Sequence, residues 1–188
     1  RPAVVFITPP NNPTGTTTSL DVVAAVCEAS DGVVVVDEAY AEFSGAPSAV
    51  TLLASHPRLI VSRTMSKAFA MAGARLGYLA ASAQVVDALR LVRLPYHLSA
   101  LTQAAARVAL AHTTELLGTV ELVKAQRDRM VDALLGLALI AETESNNPEA
   151  ASWYKKVLVV DRKNATATAA LTRLGTGSTG TSTTQGPS

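Results

Sequence analysis

The sequence predicts an α/β fold in which a mostly parallel sheet with flanking helices forms the main domain. Short β-branched runs at residues 3–8 and 33–37 are bounded by Pro, Asn and Gly, a pattern typical of strands buried on both faces. A helical pattern separates them and completes a βαβ unit. Two further strand-like runs, at residues 58–63 and 76–81, continue the alternation.

The helix between the first two strands has recognisable ends. Thr18 and Asp21 have the spacing of a capping box, and Gly32 follows the last apolar position of the pattern. After the fourth strand the periodicity becomes helical over residues 83–92, 99–112 and 115 to about 136, with Pro95 interrupting the first two. These segments are expected to flank the sheet.

The character of the chain changes near Leu137, so residues 1–136 are expected to form one domain. Asn147 and Pro148 form a helix start, a second helix is expected from Asn164 to Leu174, and residues 137–174 are read as a helical segment. Residues 175–188 are rich in Gly, Ser and Thr and are predicted to be a disordered tail.

Composition excludes several classes of function. Apolar residues make up 48% of the 188 residues and charged residues 16%, which is typical of a globular protein. A formal net charge of +1 gives no attraction to nucleic acid, and no apolar run is long enough for a membrane helix. The single Cys27 fits a reducing compartment, so a cytoplasmic location is expected. The start at Arg1, without Met, predicts a fragment.

The ends of the predicted strands carry the chemistry-bearing residues: Asn12, Asp37, Tyr40, Lys67 and Arg75. Partial burial of Lys67 would favour its neutral, nucleophilic amine, which allows Schiff-base chemistry. Asp37 ends a buried strand, so its carboxylate is expected to need a cationic partner, for which a protonated pyridine nitrogen would serve. Singly, each residue is more often structural; the combination in this order favours a site.

Three segments resemble fold type I aminotransferases. They are Asn11-Asn12-Pro13-Thr14-Gly15, Asp37-Glu38-Ala39-Tyr40, and Ser62 to Phe69 followed by Gly73-Ala74-Arg75-Leu76-Gly77-Tyr78. Within that group they are most similar to histidinol-phosphate aminotransferases, and the similarity covers roughly residues 1–136. Three ordered motifs at compatible spacings are far more specific than any one of them.

The resemblance implies pyridoxal 5'-phosphate as cofactor and a role for each residue. Lys67 would hold the cofactor aldehyde and later shuttle a proton at the substrate α-carbon, and Asp37 would pair with the pyridine nitrogen. Asn12 and Tyr40 would hydrogen-bond the ring hydroxyl. Arg75 would bind the cofactor phosphate, aided by the hydroxyls of Thr64 and Ser66.

The implied activity is amino transfer between histidinol phosphate and 2-oxoglutarate in histidine biosynthesis, in a homodimer. The family's N-terminal phosphate loop, its ring-stacking aromatic residue and its substrate-binding Arg have no counterpart in this sequence, so the activity is expected to be impaired. Residues Asn147 to Leu174 look like part of a tetratricopeptide-type repeat. The alternative is therefore a noncatalytic remnant that binds proteins through its helical C-terminal segment.

Other polar residues receive weaker interpretations. Glu38 and Glu42 are read as a solvated pair or one that contacts the site only through other residues. Arg63 and residues 95–97 could face the substrate side or a partner subunit, and stay outside the predicted site. His56, His97 and His112 are far apart, so no metal site is predicted.

Overall fold

The computed structural model describes residues 2–176, with Thr176 described by its backbone alone. The chain divides into two compact units, residues 1–121 and residues 122–188. The predicted disordered tail, residues 175–188, lies outside the described residues, except for Gly175 and Thr176. These two residues end a helix, so the prediction is wrong for them.

The first unit is built on one four-stranded sheet. Its strands are β1 (Val4–Ile7), β2 (Val33–Asp37), β3 (Leu59–Thr64) and β4 (Gly77–Ala81). They lie in the order β1-β2-β3-β4; β1, β2 and β3 are parallel, and β4 is antiparallel to β3. The predicted α/β fold with a mostly parallel sheet is confirmed.

The described residues form six α-helices. They are α1 (Leu20–Ala29), α2 (Ala83–Val92), α3 (Ala100–Ala111), α4 (Thr113–Thr143), α5 (Asn147–Val160) and α6 (Ala165–Thr176). Single 3₁₀ turns lie at Ala41–Phe43, Ala49–Leu52 and Ala72–Ala74. Helix α2 has the predicted bounds and α5 begins at the predicted Asn147, whereas α3 and α6 differ from prediction by one or two residues at their ends.

Helix α1 begins one residue later than the capping box predicted. Ser19, not Thr18, is the N-cap, and its hydroxyl accepts a hydrogen bond from the backbone N–H of Val22. A Ser hydroxyl placed three residues before that N–H satisfies one of the free donors of the first turn. The run Thr16-Thr17-Thr18-Ser19 offers four residues able to cap, so sequence alone could not choose among them.

The principal core of the first unit lies between α1 and one face of the sheet. Val34 and Val36 of β2, Leu59 and Val61 of β3, and Val23 of α1 are all almost fully buried there. Burial of these five side chains on one face fixes the register of β2 and β3, because a shift of one residue would turn them outward.

The expectation of burial on both faces is wrong for β1. Phe6 is 69% exposed and Val4 is also exposed, whereas Val5 and Ile7 are half-buried against the α1 side. Among the described residues β1 pairs only with β2, and none of them covers Phe6. The alternating exposure is that of a strand covered on one face.

A second cluster anchors the loop that follows β3. Met65, Ala68 and Phe69 are buried against Ala109 of α3 and Val120 of α4. Three buried side chains within five residues hold this loop against α3 and the first part of α4. Lys67, in the middle of that stretch, is consequently carried on a well-packed support.

The second unit has its own core, formed by the later part of α4 with α5 and α6. Its fully buried members include Ala138, Ala150, Val157 and Ala167, with Trp153 packed against them. Helix α4 runs to Thr143, so its predicted end near residue 136 is wrong. The helix continues because no Gly or Pro lies between Gly136 and Pro148 and because Ala138 and Ala141 are buried in this cluster.

Within residues 2–176, no helix combines the length and apolar character needed to cross a membrane.

Val157 and Val159 of α5 offer a matched test of the second core, since Val157 is fully buried and Val159 is 80% exposed. We expect Val157→Ala to lower the free energy of unfolding by about 2 kcal/mol, through lost burial and the cavity left behind. Val159→Ala should change it by less than about 0.5 kcal/mol. Urea unfolding followed by Trp153 fluorescence measures both, and equal effects would contradict this core.

Candidate functional site

One edge of the sheet collects the residues singled out in the sequence. Because β1, β2 and β3 are parallel, the segments that follow them leave from the same edge. Strand β4 is antiparallel, so the residues that precede it return to that edge. The edge therefore carries the Asn12 loop, Asp37 to Tyr40, Thr64 to Lys67, and Arg75.

Asn12, Tyr40 and Lys67 come together at this edge from three separate segments. The side-chain amide of Asn12 donates a hydrogen bond to the Tyr40 hydroxyl at 3.0 Å. The Lys67 Nζ lies 5.3 Å from the centroid of the Tyr40 ring, within the range of a cation–π contact. Tyr40 is half-buried and Lys67 is exposed, so the predicted partial burial of Lys67 is wrong for the residues described.

The loop after β1 is closed by Asn11, which places Asn12. The Asn11 N–H donates to the carbonyl of Thr16, and the Asn11 carbonyl accepts from the Gly15 N–H at 2.7 Å. The Asn11 side chain also links Thr8 and Thr14. Gly15 has a φ of 66°, a left-handed conformation that glycine adopts without steric cost. The loop thus has a fixed turn from which the Asn12 amide reaches Tyr40.

Asp37 is half-buried at the end of β2, and one carboxylate oxygen is engaged. Its Oδ1 accepts hydrogen bonds from the Ala39 N–H at 3.1 Å and the Ser62 hydroxyl at 3.2 Å. Ser62 is the register partner of Asp37 on β3, which explains the contact. Among the described residues these donors are neutral and Oδ2 has none. The expected cationic partner is therefore not supplied by the described part of the chain.

The Thr64 hydroxyl forms its hydrogen bonds with the local backbone. It donates to the carbonyl of Leu76 at 3.3 Å and accepts from the N–H of Ser66 at 3.1 Å. The Leu76 carbonyl also accepts from the Met65 N–H, so the segment that precedes β4 lies beside the segment that follows β3. These hydrogen bonds fix the turn that leads into Lys67.

Arg75 is exposed and stands next to this turn. Its φ is 51°, a left-handed conformation that is uncommon for a residue other than glycine. The guanidinium makes a long contact of 3.5 Å with the Ala72 carbonyl. The structure gives no hydrogen bond, within the described residues, from Arg75 to the other predicted site residues. Its predicted partner, a phosphate, would have to come from a ligand.

Gly77 allows β4 to pair closely with β3 beside Arg75. A Cβ at this position would lie 2.9 Å from the carbonyl oxygen of Arg63, closer than side-chain carbons approach backbone oxygens. Any larger residue would move β4 away from β3. Gly77 therefore helps to bring Arg75 to the edge of the sheet.

Glu38, Arg63 and Glu42 form an ion-pair network directly behind this edge. Arg63 donates from Nε and Nη2 to Glu38 Oε2, at 2.9 and 2.7 Å, and from Nη1 to Glu42 Oε1 at 2.9 Å. Glu38 is 4% exposed, so its interpretation as part of a solvated pair is wrong. Arg63 is held between the two acids, and its suggested place on the substrate side or at a partner subunit stays a prediction.

Glu38 is fully provided with donors. Besides Arg63, it accepts from the Ser48 hydroxyl at 2.8 Å and the Ala49 N–H at 2.7 Å. Burial acts to lower the pKa of Arg63, but the hydrogen bond to Glu38 and the charges of Glu38 and Glu42 outweigh it and raise that pKa. The network is therefore charged and well compensated, as a buried ion pair requires.

Sequence reasoning missed the roles of Arg63, Glu38 and Ser62. Ser62 could have been found from the register of adjacent strands, which sets it opposite Asp37. Residues 95–97, also weighed as a substrate-side feature, are exposed. Within residues 2–176, no three His, Cys, Asp or Glu side chains are grouped closely enough to hold a metal ion.

The comparison with protein families agrees with this arrangement. Residues 1–147 match the family described as aminotransferase class I and II. The chain belongs to this family. The match continues past residue 136, where the resemblance was expected to end, and it includes all seven predicted site residues of this aminotransferase chain.

Curated relatives are named histidinol-phosphate aminotransferases. One from Frankia casuarinae is 65% identical over 153 residues, covering 78% of this chain and 38% of the relative. Another, from Thermobifida fusca, is 60% identical over 149 residues, covering 78% of this chain and 41% of the relative. The aminotransferase chain thus spans about two fifths of the length of the relatives it matches.

Solved structures give the same fold. The histidinol-phosphate aminotransferase of Sinorhizobium meliloti in complex with pyridoxal-5'-phosphate has a TM-score of 0.64 at 29% identity, covering 72% of this chain and 38% of that one. The enzyme of Clostridium acetobutylicum has a TM-score of 0.62 at 27% identity, covering 72% and 42%. These matches give the tetratricopeptide resemblance of the C-terminal segment no support.

Neither α4 nor the compact units of the aminotransferase chain divide at Leu137. Helix α4 continues through that position, and the boundary between the two units lies between Glu121 and Leu122 in the sequence. Apart from the helical residues Gly175 and Thr176, the proposed division into residues 1–136, 137–174 and 175–188 stays a prediction.

Glu38 provides a direct test of the network behind the site. We expect Glu38→Gln to lower the free energy of unfolding by about 3 kcal/mol, because the amide cannot neutralise Arg63 and turns an N–H group toward it. Glu28→Gln, at an exposed position of α1, should have little effect. Chemical unfolding monitored by far-UV circular dichroism checks the pair, and a Glu38→Gln protein as stable as the Glu28→Gln control would contradict the assignment.

Proposed function

We propose that the chain is the lysine-bearing part of a pyridoxal 5'-phosphate-dependent aminotransferase whose amino donor is histidinol phosphate and whose acceptor is 2-oxoglutarate. The observation that carries the proposal is the position of Lys67 over Tyr40 at the sheet edge, with Asn12 bonded to the Tyr40 hydroxyl. The names of the curated relatives support the substrate, and the bound cofactor in the Sinorhizobium meliloti enzyme supports the cofactor.

The residues present fit this cofactor. The exposed Lys67 amine is open to an aldehyde, and Asp37 has a carboxylate oxygen without a donor among the described residues. Asn12 and Tyr40 offer an amide and a hydroxyl already held together. Arg75 presents an exposed guanidinium next to the Lys67 turn, where a phosphate group could meet its fork of N–H donors.

Each residue has a distinct task in the proposed reaction. When bound, pyridoxal phosphate supplies an electron sink for the substrate α-carbon. Lys67 would hold the cofactor by its amine and, once released, carry a proton at Nζ to and from the α-carbon. Asp37 would hold the pyridine nitrogen in its protonated form through an ion pair.

The remaining residues orient the cofactor. Asn12 and Tyr40 would hydrogen-bond its ring hydroxyl, and Arg75 would neutralise its phosphate with help from Thr64 and Ser66. Thr64 would have to exchange its present hydrogen bond to the Leu76 carbonyl for one to the phosphate. Ser66 is half-buried in the same turn and directly precedes Lys67.

The wider setting also belongs to the proposal. A small-molecule amino donor and a 2-oxo acid are the partners, and a cytoplasmic location is supported by the single, free Cys27. A homodimer follows from the family resemblance and rests on nothing in the described residues.

Cofactor affinity tests the assigned roles. We expect equilibrium dialysis with pyridoxal phosphate to show retention by the wild-type chain, loss of retention in Lys67→Ala, and at least about tenfold weaker binding in Asp37→Asn, because a charged hydrogen bond is lost. Asp21→Asn, at the exposed first turn of α1, is the matched control and should bind as wild type. Equal affinity of Asp37→Asn and Asp21→Asn would remove Asp37 from the site.

Amino transfer itself provides a second test. We expect production of glutamate from histidinol phosphate and 2-oxoglutarate to depend on Lys67, because the proposed mechanism assigns transfer of the α-proton to its Nζ. A coupled glutamate assay on wild type and Lys67→Ala measures this. Turnover that survives in Lys67→Ala would contradict the mechanism. A wild-type chain that neither retains the cofactor nor turns over would favour the noncatalytic alternative.

A further inference from the structure

Tyr40 lies between two acidic residues that share one basic partner. Glu38 precedes it by two residues and Glu42 follows it by two, and the guanidinium of Arg63 binds both. Arg63 comes from a different strand, β3, and its side chain is largely withdrawn from solvent. The chain on either side of Tyr40 is therefore fixed to β3 by a single side chain.

The segment that carries Tyr40 is also closed on itself. The Glu38 carboxylate accepts from Ser48 and Ala49, ten and eleven residues further along the chain. Inside this loop the Tyr40 carbonyl accepts from the Phe43 N–H at 3.1 Å, and the Glu38 carbonyl accepts from the Ala41 N–H at 3.1 Å. Removing Arg63 would leave Glu38 buried with only two of its donors and would release Glu42.

Alternation along β2 and β3 separates this network from the site that it supports. Asp37 and Ser62 are register partners on one face. Glu38, the residue directly after β2, and Arg63 of β3 come one residue later and lie toward the opposite face. Arg63 thus acts from behind the sheet edge, and its effect on Lys67 passes through Tyr40.

We propose that Arg63 is a positioning residue whose grip on Glu38 and Glu42 fixes the Tyr40 ring against Lys67. The inference deepens the proposed function and rests on it for the cofactor. The hydrogen bonds from Nε and Nη2 to one oxygen of Glu38, together with the separate hydrogen bond from Nη1 to Glu42, use the planar fork of arginine, which a lysine cannot reproduce. Both Arg63→Gln and Arg63→Lys are therefore expected to loosen Tyr40.

The test uses a readout that needs no cofactor. Reductive ¹³C-methylation of the full chain gives one dimethyl-lysine signal for each of the five lysines, Lys67, Lys124, Lys155, Lys156 and Lys163. The Lys67 signal is assigned with Lys67→Arg, and the ring-current effect of Tyr40 is defined by its shift in Tyr40→Leu. We expect Arg63→Gln to move the Lys67 signal to its Tyr40→Leu position, and Arg63→Lys and Glu42→Gln to move it part of the way.

Arg90→Gln is the matched control. It breaks an exposed ion pair with Asp87 on α2, and the Lys67 signal should stay at its wild-type position. Far-UV circular dichroism shows whether each variant is folded. If Arg63→Gln does not fold, Arg63→Lys and Glu42→Gln decide the question. A Lys67 signal unchanged in folded Arg63 and Glu42 variants overturns the inference, as does a wild-type signal equal to that of Tyr40→Leu.

Pyridoxal phosphate affinity separates this inference from the proposed function. We expect binding by folded Arg63→Lys to be weaker than wild type by about tenfold, because the displaced Tyr40 no longer orients the ring hydroxyl. A wild-type chain that does not bind the cofactor contradicts the proposed function, while the lysine signal still decides the role of Arg63. If the wild-type chain binds the cofactor and Arg63→Lys binds it with the same affinity, the positioning role of Arg63 is overturned and the proposed function stands.

Discussion

The carboxylate of Glu38 is the interaction on which the rest of the site depends. A buried carboxylate without partners would cost several kcal/mol, and here it is compensated by Arg63 from β3 and by Ser48 and Ala49 from the loop that follows. Because those donors lie on separate segments of the chain, their hydrogen bonds to the one carboxylate hold these segments together. The geometry of Tyr40 follows, since Tyr40 lies within the loop that Glu38 closes.

Topology supplies the other constraint. Three parallel strands end at one edge, and the hydrophobic face against α1 fixes the register of β2 and β3. With that register, Asp37 must lie opposite Ser62. The Lys67 turn is held independently by Met65 and Phe69, which are buried against α3 and α4. Packing therefore places the lysine, and polar contacts place the residues around it.

Much of this could be predicted from the sequence. Strands read as β-branched runs, and polar residues at their ends were expected at one edge because parallel strands require it. The burial of Glu38 was also within reach: Val34, Val36 and Glu38 share a period of two, so Glu38 continues the buried face of β2. Composition alone favours a solvated Glu38, because charged side chains are usually exposed. That rule fails when an arginine on the next strand lies on the same face and pairs with the acid.

Other features depend on contacts that no local pattern contains. The exposure of Phe6 on β1 is decided by which elements cover that face, and the length of α4 by the burial of Ala138 and Ala141 against α5 and α6. The choice of Ser19 over Thr18 as the helix cap depends on backbone geometry that both residues could have supported. The exposure of Lys67 likewise reflects the tertiary setting of its turn, since its neighbours Ala68 and Phe69 are buried.

The most direct test of the central claim is to treat the chain with pyridoxal phosphate and borohydride and to locate the trapped cofactor by peptide mass spectrometry. The arrangement of Lys67, Tyr40, Asn12 and Asp37 predicts that the label concentrates on Lys67 and that Asp37→Asn reduces it there. Labelling spread equally over Lys67, Lys124, Lys155, Lys156 and Lys163, and unaffected by Asp37→Asn, would contradict the account.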